Sequence, residues 1–101
     1  MFKAIILLTR KEGMTPDEFR RWWLDEHAPL ARQLPGVRRI VGNLVTTPDA
    51  PYDGITELWF DDQAALEGAY ASEIGQAVAA DSMAHVSGRV RLAVDEVTLV
   101  G

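Results

Sequence analysis

Short runs that are apolar on a two-residue period alternate along this chain with stretches that are apolar at helical spacing. Residues 2–9, FKAIILLT, place Phe2, Ala4, Ile6 and Leu8 on one strand face and Ile5 and Leu7 on the other. A strand apolar on both faces belongs in a sheet covered on both sides. Arg10-Lys11-Glu12-Gly13 ends it. The stretch 15–35, TPDEFRRWWLDEHAPLARQLP, then opens with the signals of a helix start. Thr15 is a good N-cap, Pro16 takes the first helical position, and Glu18 completes a capping box. Asp17 and Glu18 suit the positive end of the helix dipole. Phe19, Trp22, Trp23, His27, Leu30 and Leu34 recur at helical spacing. Pro29 removes the bond to the carbonyl of Asp25, so a kink or break is expected near His27 and Ala28.

Leu34-Pro35-Gly36 stops that helix. A second strand is expected over 37–46, interrupted by Gly42, and a loop dense in Pro, Asp and Gly over 47–54. A third strand covers 55–60, with Ile55, Glu57 and Trp59 on one face. A helix follows over 64–71, then a short helix from Ser72 to about Asp81, whose small residues allow close packing. His85 falls in the turn after it. A last strand spans 86–100 and bends near Gly88. The order is βαββαβ, an α+β, ferredoxin-like arrangement with an antiparallel sheet.

Composition narrows the partners. The chain has 101 residues, the size of one domain, so a single domain over 1–101 is expected. A domain this small buries roughly 60–70% of its unfolded surface. With 48% hydrophobic residues, some apolar surface is expected to be buried against a second copy. The formal charge of -5 argues against nucleic acid as a partner. There is no cysteine, which excludes disulfides and thiolate chemistry. The longest wholly apolar run, 4–8, is far too short to span a membrane, and no signal peptide is read. A soluble, cytoplasmic protein is the expectation.

His27 is the first candidate for chemistry. An imidazole titrates near neutral pH and serves as a general acid or base. The alternative is a buried histidine bonded to a backbone carbonyl. Asn43 suits binding of a ligand carbonyl or hydroxyl, and Tyr52 suits donation to a developing enolate or phenolate. For Asp53, turn chemistry before Gly54 is the better reading. Glu57 is expected to pair with Arg39 or Arg91. Trp22, Trp23, Trp59, Phe60 and Tyr70 suit an aromatic pocket or plain core. Two separated histidines with no supporting carboxylate motif make a metal site unexpected, and no cofactor is predicted. The chain shows no Ser-His-Asp pattern, phosphate loop or dinucleotide fingerprint.

Two blocks, WLDEHAPL at 23–30 and YDGITELWF at 52–60, resemble the EthD family. The likeness runs from 6 to about 97. It implies the dimeric α/β barrel superfamily: a homodimer whose two sheets pack together, with a pocket between sheet and helices in each subunit. The corresponding histidine lies at the pocket in that family, which supports His27. Superfamily members include isomerases, polyketide cyclases and cofactor-free or haem-degrading monooxygenases, so membership does not define a reaction. The expected site joins His27 and Tyr52 as catalytic groups with Asn43, Trp23, Trp59, Tyr70 and His85 as binding groups for a small hydrophobic molecule. A non-catalytic metabolite-binding dimer is the alternative. A further one is haem binding through His85. Haem-degrading relatives also use an asparagine on the first strand, where this chain offers Thr9 as the only uncharged polar side chain.

Overall fold

The computed structural model describes residues 1–101. Its first strand, β1 (Phe2–Arg10), leads into one continuous helical segment. That segment is built of α1 (Pro16–Arg21), a π-helical stretch (Trp22–His27) and α2 (Ala28–Ala31). Next come β2 (Arg39–Leu44), β3 (Gly54–Phe60), α3 (Gln63–Ala71), α4 (Glu73–His85) and β4 (Val86–Val94). The strands form one antiparallel sheet in the order β2-β3-β1-β4. This is the ferredoxin-like α+β fold. No helix is long and apolar enough to cross a membrane.

The helices cover one sheet face. Ala4, Ile6 and Leu8 of β1 and Leu58 and Phe60 of β3 pack there against Phe19, Trp22, Trp23, Leu66, Ala69 and Val78. The opposite face carries Ile5 and Leu7, and no helix covers it. Val90 and Leu92 on that face are 42% and 47% exposed.

The start of α1 forms as its sequence dictates. Thr15 Oγ1 accepts the Glu18 N–H at 3.1 Å, and Glu18 accepts the Thr15 N–H at 2.9 Å. The expected break at Pro29 takes another form. The Ala28 N–H bonds to the Trp23 carbonyl, five residues back. A widened turn moves the carbonyl that the proline ring would strike, so the helix continues instead of breaking. It ends at Ala31, short of Pro35.

Three further boundaries differ from expectation. β4 ends at Val94, not at residue 100, because Val94 pairs with Lys3 and β1 begins one residue earlier. With no strand left to pair, 95–101 leaves the sheet. The bend near Gly88 is present as a bulge, where the register shifts between Thr9 and Arg10. α4 continues past Asp81 so that His85 is its last residue, not part of a turn. β2 is shorter at both ends than 37–46.

Two glycines mark close approaches. A Cβ at Gly75 would stand 2.0 Å from the Ala69 carbonyl oxygen, so the α3–α4 corner closes only because no side chain is there. A Cβ at Gly54 would stand 2.9 Å from the Trp23 indole and 3.1 Å from the Phe19 ring. The glycine of the YDGI segment is what lets Trp23 lie flat on the sheet.

Candidate active site

A cavity of about 270 Å³ lies between the first helical segment and the β2–β3 edge of the sheet. Trp23, Leu24, His27, Ala28, Ala31 and Arg32 line it from the helix side; Ile40, Gly42 and Thr56 line it from the sheet. Trp23 abuts Gly42 and Gly54 and closes one end. Such a cavity is just below the usual range for ligand pockets, suited to a small compound, and mostly apolar.

His27 belongs to its wall and is 7% exposed. Nδ1 lies 2.8 Å from Asp81 Oδ2. A carboxylate oxygen accepts, so Nδ1 carries the hydrogen and donates it. The same Oδ2 accepts from Trp22 Nε1 at 3.2 Å. His27 Nε2 makes one long contact, 3.4 Å, with Ser82 Oγ. The bond that holds His27 is therefore to a side-chain carboxylate and not to a backbone carbonyl. The π-helical stretch ends at His27 and carries both Trp22 and His27 inward toward α4. No buried side-chain nitrogen or oxygen in the chain lacks a partner.

Ser82, His27 and Asp81 thus come together although no sequence motif announced them. Their connectivity is that of a nucleophile triad, but the geometry is not. Ser82 is 4% exposed and does not line the cavity. It anchors the ring from behind.

Of the other residues singled out from sequence, only Trp23 reaches this cavity. Asn43 follows Gly42 in β2 and so faces the other side of the sheet. There its amide donates to the Ile55 carbonyl at 3.0 Å and to Glu57 at 3.1 Å. Trp59 is on that same face, between Lys3 at 4.6 Å and Arg39 at 4.8 Å from its ring centre. Tyr52 lines a separate hollow formed by the 45–53 loop with Arg10 and Pro16. Tyr70 packs between α3 and β4, under Arg91 at 5.3 Å and Arg89 at 5.8 Å. Burial pushes its phenol above the ordinary value. His85 stacks on Trp22 at 4.5 Å between ring centres, and its Nδ1 donates to the Asp81 carbonyl at 2.7 Å. It closes the C-terminus of α4 and does not line the cavity.

Two charged residues also pair differently from expectation. Glu57 binds Lys3 at 2.9 Å rather than Arg39 or Arg91. Arg91 stands opposite Ile6, on the helix-covered face, and cannot reach it; Arg39 stacks on Trp59 instead. Lys3 also binds Glu96 at 2.9 Å. The Lys3 ammonium, then the Asn43 amide, hold Glu57 below the usual carboxylate range, while Glu57 and Glu96 raise Lys3. Asp53 does more than shape a turn. It accepts the Arg10 N–H at 2.8 Å and pairs with the Arg10 guanidinium, tying the 45–53 loop to β1.

Asp81, Ser82, Arg32 and Thr56 are the site residues that sequence reasoning missed. Only Ser82 had a faint signal: Ile74, Val78, Ser82 and His85 recur at helical spacing, and the last two are polar on a stripe that should be apolar.

The fold and site define a small α+β protein with an apolar cavity bordered by an anchored histidine. A family model described as the EthD domain matches residues 11–88. The chain belongs to the EthD family. It is 33% identical over 90 residues to an uncharacterised 11.0 kDa protein of the thcB–thcC intergenic region of Rhodococcus erythropolis, covering 84% of this chain and 86% of that one. Its fold matches an ethyl tert-butyl ether D (EthD) family protein from Bacillus halodurans with a TM-score of 0.83. That match covers 96% of this chain and 100% of the other at 22% identity. It also matches a dimeric ferredoxin-like protein of unknown function from Thermobifida fusca with a TM-score of 0.75. There the identity is 16%, over 92% of this chain and 88% of that one.

Proposed function

We propose that this protein is a homodimeric, cofactor-independent enzyme that moves a proton at carbon next to a carbonyl in a small, largely apolar cyclic compound such as a lactone or polyketide-like ring. The observation that carries this reading is the Asp81–His27 pair at the wall of the cavity. Asp81 holds Nδ1 protonated, which leaves Nε2, tied to Ser82 only by a long 3.4 Å contact, as the basic nitrogen and sets a carboxylate against the imidazolium that proton abstraction would form. Thr56 supplies a hydroxyl on the sheet side of the cavity. Tyr52 and Asn43 have no part in this cavity within one chain, so the reading rests on His27.

A second reading follows from Ser82. Where the 3.4 Å contact with Ser82 Oγ ties Nε2 to α4, the histidine is an anchor only, and the cavity then holds a metabolite without changing it. Deuterium exchange separates the two. Cyclic ketones and lactones in D2O are followed by proton NMR for loss of the C–H signal beside the carbonyl. Catalysis predicts exchange that falls by about a hundredfold in His27→Asn with the circular dichroism unchanged. Equal exchange in wild type and variant refutes the catalytic role. Binding without exchange establishes the second reading.

The homodimer is supported by the uncovered apolar sheet face and by the dimeric Thermobifida fusca neighbour. Packing two such faces together would bury Ile5, Leu7, Val90 and Leu92.

A further inference from the structure

We infer that the ligand of the cavity beside His27 carries an anionic group, a carboxylate or phenolate on a small ring, and that the Arg32 guanidinium holds it at the cavity mouth. This rests on the reading that this cavity is the ligand site. Arg32 is the one permanently charged residue in the lining. Its side chain is exposed and makes no hydrogen bond or ion pair within the chain. Arg10 is committed to Asp53, Arg38 to Asp61 and Arg39 to the Trp59 ring, and the other unpaired arginines of that helix, Arg20 and Arg21, lie outside the cavity. Asp25 and Glu26, the nearest carboxylates before His27, do not line the cavity. The lining thus has an unneutralised cation at one end, apolar walls, and an aromatic stop at Trp23.

The spacing is also suitable. Arg32 follows His27 by five positions, roughly 7–8 Å along the helix axis. An anion held at Arg32 places a ring over Ala28 and Ala31, and the far side of that ring near His27. A planar guanidinium matches a carboxylate bidentately, so it would set the ligand's direction in the cavity as well as attract it. The ordinary role for an arginine here is to complement the negative end of the helix, since its N–H caps α2 through the Ala28 carbonyl. That role needs no ligand, and the two are separable.

The probes are 1-naphthoate and its neutral counterpart 1-naphthamide, titrated into nitrogen-15-labelled protein. The Gly42 amide and Trp23 indole signals report the cavity. The expected result is that naphthoate binds about fivefold more tightly, the scale of a charge-assisted contact at a solvent-exposed mouth. Arg32→Gln should remove that preference and leave naphthamide binding unchanged. Arg20→Gln and Arg21→Gln, arginines of the same helix outside the cavity, should leave the preference intact. Equal binding of the two probes to wild type overturns the anionic ligand and leaves the cavity reading standing. A preference that survives Arg32→Gln overturns the role of Arg32. If neither probe moves the Gly42 and Trp23 signals, the cavity reading itself fails and the inference fails with it.

Discussion

Replacing Asp81 by alanine strikes the point where the cavity and the core meet. Its Oδ2 accepts from Trp22 Nε1 at 3.2 Å and from His27 Nδ1 at 2.8 Å. Both donors belong to buried residues, 3% and 7% exposed. A buried donor left without an acceptor costs about 1–3 kcal/mol. Two would cost about 2–6 kcal/mol, but the Asp81 side chain is 26% exposed, so water can enter its place and restore part of the loss. The expected destabilisation of Asp81→Ala is therefore about 2–3 kcal/mol. For a chain of this size that lowers Tm by roughly 10–20 °C. Asp81→Asn keeps an acceptor oxygen but not the charge, and should lose about half as much. Thermal unfolding followed by near-ultraviolet circular dichroism is the suitable assay, since Trp22 stacks on His85 and reports this corner directly. Protein concentration is held constant, because a dimer's Tm depends on it. Asp61→Ala is the control: its ion pair with Arg38 is more than half exposed on both sides, and its Tm should not move. A Tm of Asp81→Ala within about 2 °C of wild type, well under the shift expected for 1 kcal/mol, would refute the claim that Asp81 holds these rings.

Two more predictions concern the uncovered sheet face. Lys3 is raised above its ordinary 10.5, so its contribution is complete below that pH and fades as the pH rises through the shifted value. Glu57 and Glu96 are lowered beneath 4.5, so theirs is complete above pH 4.5 and is lost on acidification. Urea midpoints measured from neutral pH down through 4.5 should fall less steeply in Lys3→Gln than in wild type; parallel curves would show that the cluster adds nothing. Leu92, opposite Ile5 at the centre of that face, should be covered in a dimer. Leu92→Arg should convert a sedimenting dimer to monomer at micromolar concentration, and a wild-type monomer under the same conditions would remove the dimer and the barrel together.

The residue pattern carried what depends on near neighbours in the chain. The Thr15–Glu18 capping box is written in four consecutive residues, because each partner is one helical turn from the other. Strand faces, including the doubly apolar β1, follow from a period of two. His27 was marked as the odd residue on an apolar stripe. Pro29 announced a disturbance, but only the five-residue backbone bond of Ala28 showed that the helix widens and continues.

Pairings between distant segments were decided elsewhere. Asp81 stands 54 residues from His27. Nothing local to either residue specifies the other; the packing of α4 against the first helical segment does. The same holds for Lys3 and Glu57, which meet because β1 and β3 pair in a register that sets Ile5 against Glu57. Asn43, Tyr52, Trp59, Tyr70 and His85 have the side chains a site would need, yet a sheet has two faces and a helix several neighbours. Composition and spacing nominate such residues, and the register and the helix contacts place them apart. By itself the sequence determined the family, the order of elements and the histidine. Only the tertiary structure decided that His27 answers to Asp81, that Arg32 stands unpaired at the same cavity, and that the other candidates lie away from it. Hydrogen bonds and charge pairs act over a few ångströms, and the folded backbone alone determines which distant residues come that close.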